Sequence, residues 1–336
     1  MTDFSSNGLP RVVITGFGVI SPLGNNADDN WDSLLNGRSG IGPITQFDTS
    51  HLPVKIAGEV KDFDPGDYMN WKEARRISRA SQLAIAATTM ALEDAGLEPP
   101  LDNAERVATI VGTGAGGLEV ADRELGILRS KGFNRVSPFA MVGFLANMPA
   151  HHLSLLAGAK GHINTVVAAC ASGAQAVGEA LDIIRHGRAD MAIAGGVEGL
   201  VHEATITGFA RMRALSTRND DPQHASRPFD RERDGTVISE GAGIVVLERL
   251  DHALARGATI QAELLGYATS SDAFHISQPD PQAAGAVRAM RWALEDARVN
   301  TDEIDYINAH GTSTPLNDAM ETLAIKSLFG EQAYEI

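Results

Sequence analysis

The sequence has very little sulfur chemistry available to it, since its 336 residues include a single cysteine, Cys170. One thiol cannot close an internal disulfide, and it supplies too few thiolates for a structural zinc site. Small domains held together by disulfides or zinc are therefore excluded, and no bound metal is expected. Cys170 is either a buried small hydrophobe or a reactive thiol.

Long apolar runs and basic charge are also scarce. No uninterrupted apolar stretch reaches the roughly 18 residues that a membrane-spanning helix needs, and residues 1–11 carry no apolar signal-peptide core. The chain has 28 Lys and Arg against 43 Asp and Glu, a net charge of −15, which disfavours broad attraction to nucleic acid or anionic membranes. We therefore expect a soluble, cytoplasmic protein with no nucleic-acid or membrane partner.

Strand patterns alternate with helix patterns along the chain, which indicates an α/β fold with a sizeable core. The predicted strands are residues 11–18, 107–111, 163–169, 191–194, 244–250, 260–266 and 304–309, and the longer predicted helices are residues 74–95, 171–186 and 284–297. The glycine-rich turn at residues 112–117 lacks the lysine of a phosphate-binding loop and indicates close backbone packing. Residues 211–241, rich in Asp, Arg, Pro and Ser, predict a long ordered loop with a function.

A short repeat gives information about the whole architecture. The pentapeptide Ala-Leu-Glu-Asp-Ala occurs at residues 91–95 and again at residues 293–297. Each copy lies near the end of a predicted helix that precedes a predicted strand ending in glycine. The repeat predicts a duplicated βαβ core, with a second copy shortened because the chain stops at Ile336.

Two residues are candidates for chemistry. Cys170 stands between a predicted strand and a predicted helix, beside Ser172 and Gly173. A thiol at a helix N-terminus is favoured as a thiolate by the helix dipole, and small neighbours leave room for a substrate. His310 ends a predicted strand within Asn-Ala-His-Gly-Thr-Ser-Thr, where small and hydroxyl residues also leave room for a ligand. On this pattern alone, His310 is either a site residue or a structural one.

Four segments resemble the β-ketoacyl-acyl-carrier-protein synthases of the thiolase superfamily, above all the bacterial condensing enzymes II. They are VVITGFGVISPLG, VVAACASGAQAVGEA, GFARMRALSTRNDDPQHASRPFDRERDG and NAHGTSTPLND. The resemblance implies a thiolase-like fold, in which two halves with five-stranded sheets build a five-layered αβαβα core in a homodimer. It divides the chain into an N-terminal half, residues 1–257, carrying the nucleophile, and the start of a C-terminal half, residues 258–336.

The resemblance also implies roles for individual residues. Cys170 matches the nucleophile that takes an acyl chain from an acyl carrier protein as a thioester. His310 matches the first of two histidines that assist decarboxylation of the malonyl substrate. The remaining matches are Thr312 and Thr314 for the phosphopantetheine arm, Phe209 and Ala115 for the acyl pocket, and Lys72, Arg75, Arg76 and Arg213 for carrier-protein docking. No resident cofactor is implied, because the phosphopantetheine arrives on the carrier.

The spacing of basic residues predicts how the carrier would dock on an acidic enzyme. Lys72, Arg75, Arg76 and Arg79 stand at i, i+3, i+4 and i+7, which on a helix is one continuous face. A solvated surface with ordinary ion pairs is the alternative interpretation. A local basic face would offset the repulsion expected between two acidic proteins.

The expected activity is a decarboxylative Claisen condensation in fatty acid synthesis, giving 3-oxoacyl-acyl-carrier-protein. Two alternatives stay open: a ketosynthase of a dissociated polyketide system, and a non-catalytic chain-length partner. Cys170 argues against the second alternative, since such partners lack the nucleophile. In the family a lysine, a second histidine and a Gly-Phe-Gly loop follow the position of Ile336. We therefore expect a truncated chain with an incomplete second half.

Overall fold

A mixed sheet of six strands organises the part of the chain that the structure describes. The computed structural model describes residues 8–276 and 278–336. Its strands are β1 (Val12–Ile20), β2 (Ile41–Pro43), β3 (Ile56–Gly58), β4 (Val107–Gly112), β5 (Ile163–Val166), β6 (Met191–Gly199), β7 (Glu240–Arg249) and β8 (Ala262–Glu263). Most of the predicted strands are confirmed, with ends that differ by a few residues.

The α-helices lie between these strands and after them. They are α1 (Ala27–Leu35), α2 (Trp71–Ala74), α3 (Arg79–Asp94), α4 (Leu118–Lys131), α5 (Ala140–Phe144), α6 (Met148–Ala157), α7 (Ser172–Arg185), α8 (Glu203–Arg211), α9 (Leu250–Ala255), α10 (Ala284–Ala297) and α11 (Pro315–Phe329). None of these described helices is both long enough and apolar enough to cross a membrane.

The strand order of the main sheet is β5-β4-β6-β7-β1-β8. β4 runs parallel to both β5 and β6, whereas β7 runs antiparallel to β6 and β1. Every residue of β4 is buried, as expected for a strand covered on both faces. The carboxyl ends of β4, β5 and β6 therefore meet at one edge of the sheet.

The sheet is covered by α3 on one face and by α7 on the other. Neighbouring strand residues divide between the two apolar layers, so that Val111 packs with α3 while Ile110 packs with α7. The approach of α3 is close, since a Cβ added to Gly18 of β1 would lie 2.0 Å from the Ala87 carbonyl oxygen. A glycine and a row of alanines therefore set the distance between helix and sheet.

The repeated pentapeptide ends a helix in both places and makes the same contact twice. A Cβ added to Gly16 would lie 2.5 Å from the carbonyl oxygen of the first alanine of residues 91–95 and 2.7 Å from the Cβ of the last. A Cβ added to Gly266 would lie 2.7 Å from both corresponding atoms of residues 293–297. The shared packing of glycine against helix end supports the predicted duplication of the core.

In the second half, one strand prediction is wrong and another is confirmed only in part. The predicted strand at residues 304–309 has no β-structure, and Tyr306 within it is 76% exposed. The predicted strand at residues 260–266 is reduced to β8, which pairs with β1 through Ala262 and Glu263 only. An apolar alternating segment becomes a strand only where a neighbour completes its ladder. Among the described residues, none does so at residues 304–309.

The predicted helix at residues 74–95 is interrupted at its start. α2 ends at Ala74, and α3 begins at Arg79 behind Ser78, whose hydroxyl accepts the N–H of Ser81. The expectation that Lys72, Arg75, Arg76 and Arg79 share one helical face is therefore wrong. Arg79 instead pairs with Glu240 at 3.0 Å, a carboxylate with a side chain 1% exposed. The serine cap at residue 78 is the signal that favours a new helix there.

A buried ion pair between Glu248 and Arg256 connects the end of β7 with the ends of α9 and α3. The Glu248 side chain is fully buried and accepts hydrogen bonds from Arg256, Thr15 and His252. Arg256 also donates to the Ala95 carbonyl at 2.8 Å. Burial by itself raises the pKa of the Glu248 carboxyl, but the three hydrogen-bonding side chains outweigh it and hold the pKa below its ordinary value. The charged carboxylate is thus part of the folded state.

Arg256→Ala is expected to lower the free energy of unfolding by about 3 kcal/mol, because it leaves a buried carboxylate without its cation. The depressed pKa of Glu248 means that the pair stabilises the wild type above the carboxyl's ordinary pKa and is lost as pH falls through the folded value. Urea unfolding at pH 7 and at about pH 4 measures both effects, and the difference between the two proteins should shrink in acid.

Arg38→Ala is the matched control, since Arg38 pairs with Asp32 where both side chains are more than half exposed. It should change stability by less than about 1 kcal/mol. Equal losses from the two substitutions would contradict the role assigned to the buried pair.

Candidate active site

Cys170 lies in the turn that joins β5 to α7, at the carboxyl edge of the sheet. Residues Ala169–Ala171 form one 3-10 turn, and α7 begins at the next residue. The Ser172 hydroxyl closes this turn by donating to the Ala169 carbonyl at 2.7 Å and accepting the Ala168 N–H at 2.8 Å. The Cys170 side chain is exposed. A substrate can therefore reach the sulfur beside the N-terminus of α7, as the sequence pattern predicted.

His310 lies beside Cys170, although the two residues are far apart in the sequence. The hydrogen bond between their side chains lowers the pKa of the Cys170 thiol and raises the pKa of the His310 ring. Burial opposes both shifts without reversing either. The charges of Glu321 and Asp318 raise the pKa of His310 further. The arrangement favours a thiolate paired with an imidazolium, which is an activated nucleophile.

The backbone around His310 is held by α11. The Glu321 carboxylate accepts the N–H of His310 at 2.6 Å and the N–H of Gly311 at 2.8 Å. Gly311 has a φ of +48°, in the left-handed region that glycine tolerates best. Thr314 caps α11 by accepting the Asn317 N–H at 3.3 Å. The helix therefore fixes the turn that carries His310 at both of its ends.

The loop at residues 211–241 closes over the same turn from the other side. The buried Ser313 hydroxyl accepts the Arg227 N–H at 3.0 Å, and the Ser313 carbonyl accepts the Gly235 N–H at 3.0 Å. Arg233 donates to the Thr314 carbonyl at 3.1 Å and lies 3.3 Å from the buried Asp318 carboxylate. The predicted loop is ordered, and these contacts give it a positioning function.

The residues matched to substrate contacts occupy different surroundings. Thr312 and Thr314 follow His310 on one turn, with their hydroxyl oxygens 2.9 Å apart. Ala115 is half-buried in the turn at residues 112–117, and a Cβ added to its neighbour Gly114 would lie 3.8 Å from the Cα of Ala169 in the Cys170 turn. Phe209 of α8 packs in an apolar cluster with residues such as Ile206, and it does not line the cavity at Cys170.

The basic residues matched to carrier docking divide into three groups. Lys72 of α2 and Arg75 just after it are exposed. Arg76 is half-buried, with its guanidinium 4.3 Å from the centre of the Phe139 ring. Arg213 is exposed in the segment after α8. Only part of the predicted basic surface is therefore fully available to a partner.

A cavity of about 270 Å³ opens beside Cys170, lined by small residues such as Gly112, Gly173 and Gly243 and by Glu198. A larger cavity of about 480 Å³ lies away from the nucleophile, between α3, α5 and α6. The smaller cavity is the candidate site because Cys170 lines it. Within residues 8–276 and 278–336, no three His, Cys, Asp or Glu side chains are grouped to hold a metal ion.

Sequence reasoning missed several positioning residues. Glu321 holds the His310 segment through backbone N–H groups, Asp318 accepts the Phe229 N–H of the long loop, and Arg233 reaches the segment from that loop. Glu198 was missed because the strand at residues 191–194 was predicted to stop early, whereas β6 runs to Gly199. The sequence feature that could have identified Glu198 is a carboxylate within the glycine-rich run Ala-Gly-Gly-Val-Glu-Gly.

Known proteins resemble this chain over nearly its whole length. The family model of the β-ketoacyl synthase N-terminal domain matches residues 10–253, and that of the C-terminal domain matches residues 261–336. The 3-oxoacyl-[acyl-carrier-protein] synthase 2 of Synechocystis is 48% identical over 326 residues, which are 97% of this chain and 78% of the relative. The synthase 2 of Coxiella burnetii is 46% identical over 97% of this chain and 79% of its own length.

Solved structures agree with the sequence matches. The ishigamide ketosynthase/chain length factor superposes with a TM-score of 0.89 at 40% identity, covering 96% of this chain and 78% of that one. A type II polyketide ketosynthase in complex with its acyl-carrier protein gives a TM-score of 0.87 at 32% identity, covering 98% and 80%. Two family models, the relatives and these structures all lead to the same conclusion: the chain belongs to the β-ketoacyl synthase family and has its thiolase-like α/β fold.

Proposed function

We propose that this protein is a condensing enzyme of fatty acid synthesis, a 3-oxoacyl-acyl-carrier-protein synthase acting through Cys170. The observation that carries the proposal is the hydrogen-bonded pair of Cys170 and His310 at the start of α7. The names of the relatives at 45–48% identity support a fatty acid role over the polyketide alternative. The presence of a paired nucleophile argues against a non-catalytic chain-length partner.

The first half-reaction is transfer of an acyl group to Cys170. The thiolate attacks the thioester carbonyl of the acyl carrier and forms a carbon–sulfur bond to Cys170. The bond between the acyl carbon and the carrier sulfur breaks, and the leaving carrier thiolate takes a proton from the His310 imidazolium. Donor and acceptor are both thiols, so little free energy is lost in the exchange. The hydrogen bond from His310 and the dipole of α7 supply the thiolate that this step requires.

The second half-reaction joins two carbons. Loss of CO₂ from the malonyl thioester leaves its electron pair in an enolate, so no strong base is needed. A His310 N–H can donate to the enolate oxygen and stabilise the charge that develops there. The enolate carbon then attacks the acyl-Cys170 carbonyl, and the thiolate of Cys170 leaves. The product is a 3-oxoacyl thioester on the carrier.

The other matched residues take the roles that the resemblance implies. Thr312 and Thr314 would hydrogen-bond the phosphopantetheine arm, which comes with the carrier, so the enzyme needs no cofactor of its own. Ala115 would border the acyl pocket. The resemblance gives Phe209 the same role, but Phe209 packs in the apolar cluster of α8 and does not line the cavity at Cys170. We also propose that the halves divide at residue 257, with residues 258–336 beginning the C-terminal half. The two family-model matches support this division. The first seven residues lie outside the described part of the chain.

We propose that an acyl carrier protein docks on the basic surface formed by Lys72, Arg75, Arg76 and Arg213. The solved ketosynthase complex with an acyl-carrier protein supports such partnering. Because the protein carries a net charge of −15, an acidic carrier needs a local positive surface to approach. Exposed Lys72 and Arg75 meet that need better than Arg76, which packs on Phe139.

A second copy of this chain is the proposed partner for the edge strand β5. Ile163 of that strand is 49% exposed, and Val167 just beyond it is 60% exposed. Leu155 of α6, a helix that packs beside β5, is exposed as well. An apolar edge strand of this kind favours pairing with another strand. We propose a cytoplasmic homodimer.

Cys170→Ser is expected to abolish acylation, because a serine hydroxyl is not deprotonated beside His310 as a thiol is. Mass spectrometry of the intact protein after incubation with acyl-carrier protein measures the mass increase on the enzyme. The wild type should gain one acyl group and the variant none, while both melt at the same temperature. Acyl label on the serine variant would refute the assignment of the nucleophile.

Lys72→Glu with Arg75→Glu is expected to slow carrier association by about tenfold at low salt, with a loss that shrinks as salt rises. Stopped-flow binding of the carrier measures the on-rate. Acylation from a small soluble thioester should not change, because that donor needs no docking surface.

Arg129→Glu with Lys131→Glu is the matched control, since it makes the same change of charge on the exposed end of α4. It should slow association much less. Equal slowing by the two double variants would show that net charge matters and that the proposed docking surface does not.

Ile163→Lys with Val167→Lys is expected to turn a dimer into a folded monomer, because it places two like charges on each edge strand. Sedimentation velocity measures the mass, and circular dichroism checks the fold. Leu34→Lys is the control, as an equally exposed apolar residue on α1. A wild type that sediments as a monomer would refute the proposed homodimer.

A further inference from the structure

Glu198 connects the active-site strand β6 to the glycine-rich turn at residues 112–117. Its Oε1 atom accepts the Gly114 N–H, and the carboxylate also accepts from the Thr113 side chain and from the Ala115 N–H. Its Oε2 atom is buried and has no hydrogen-bond partner among the described residues. One carboxylate therefore holds two successive backbone N–H groups of the turn that contains Ala115.

Backbone packs directly on backbone around this carboxylate. A Cβ added to Gly112 would lie 2.1 Å from the Ser172 carbonyl oxygen, and a Cβ added to Gly196 would lie 2.8 Å from the Gly173 Cα. β4, β6 and α7 thus approach one another through glycines. Glycines cannot interlock as larger side chains do, so a polar contact is needed to define where the following turn lies.

The turn held by Glu198 touches the Cys170 turn. A Cβ added to Gly114 would lie 3.1 Å from the Glu198 Oε1 atom and 3.8 Å from the Cα of Ala169, the residue before the nucleophile. A shift of Gly114 and Ala115 would therefore change the space directly beside Cys170. In the proposed function, Ala115 borders the pocket for the acyl chain.

The charge of Glu198 acts on the nucleophile against His310. Glu198 and Cys170 line the same cavity. Glu198 raises the pKa of the Cys170 thiol, whereas His310 lowers it. His310 in turn faces Glu321 and Asp318 of α11. Burial raises the pKa of Glu198 itself. Removing the charge of Glu198 should therefore lower the pKa of the Cys170 thiol, because one of the causes that oppose His310 is then absent.

We infer that Glu198 is a positioning residue for the condensation: its carboxylate fixes the Gly114–Ala115 turn as a wall of the acyl pocket, and its charge limits the reactivity of the neighbouring Cys170. The first role needs a hydrogen-bond acceptor, and the second needs a negative charge. The pocket-wall role rests on the proposed function, whereas the turn contact and the charge do not. Two substitutions separate the roles.

Glu198→Gln keeps an acceptor oxygen and removes the charge. We expect the backbone N–H groups of residues 112–117 to be as protected from hydrogen exchange as in the wild type. We also expect iodoacetamide to alkylate Cys170 faster at pH values below the pKa of its thiol. A downward shift of about half a pH unit corresponds to about threefold more thiolate there. His310→Ala should move the same profile the opposite way.

Glu198→Ala removes both the acceptor and the charge. We expect protection of residues 112–117 to fall by at least tenfold, and the acyl-chain-length profile of the acylation reaction to broaden relative to Glu198→Gln. Melting temperatures show that each variant is folded before its profile is compared. If Glu198→Ala does not fold, the alkylation profile of Glu198→Gln still tests the role of the charge. Glu198→Asp then tests the role of the acceptor, because its shorter side chain reaches less far toward the turn.

Glu59 offers the matched control, because this buried carboxylate also accepts two successive backbone N–H groups, from Thr45 at 2.9 Å and Gln46 at 3.1 Å. Glu59→Gln and Glu59→Ala should leave both the alkylation profile and the protection of residues 112–117 unchanged. The same changes from the Glu59 variants would overturn the inference.

The outcomes also separate this inference from the proposed function. Unchanged protection and an unchanged alkylation profile in folded Glu198 variants would overturn the inference, even in an active condensing enzyme. The expected changes in a protein that accepts no acyl group would support the turn contact and the charge, while refuting the proposed function and with it the pocket-wall role.

Discussion

The active site depends on one constraint, the direct contact of backbone with backbone where α7 starts on the sheet. Gly112 at the end of β4 has no room for a side chain against Ser172, and Gly173 meets Gly196 in the same way. This contact brings the Cys170 turn onto the carboxyl edge of the sheet and leaves the sulfur open to solvent. Larger residues there would displace the helix and Cys170 together.

The histidine reaches the sulfur by a different route. It lies on an irregular segment, so its position comes from polar contacts that α11 and the loop at residues 211–241 make with the surrounding backbone. Glu321 holds the N–H groups of His310 and Gly311, and Ser313 is bonded to the loop. α7 therefore positions Cys170, whereas α11 and the loop position His310. The hydrogen bond between the two side chains lowers the pKa of the thiol and raises the pKa of the imidazole.

The wrong predictions have a common physical cause. Residues 304–309 carry a strand pattern without a ladder partner among the described residues, and residues 74–78 carry helix-forming residues that a serine cap interrupts. The pattern of residues within a segment indicates which secondary structure that segment favours. A strand also needs a neighbouring strand to pair with, and a basic face at helical spacing forms only where the helix is continuous. The same limit concealed Glu198, because a carboxylate beside glycines gains its meaning only from the turn that it meets.

The sequence alone determined the α/β class, most strand positions, the duplicated helix end, the family, and the choice of Cys170 and His310, whose side chains meet in the structure. These features follow from local periodicity and from motifs that lie on contiguous residues. The tertiary structure decided which carboxylates hold the His310 turn, which basic residues remain exposed, and how Glu198 meets Gly114. Such contacts join distant segments, and their geometry depends on how closely the backbones pack, which no spacing within one segment specifies.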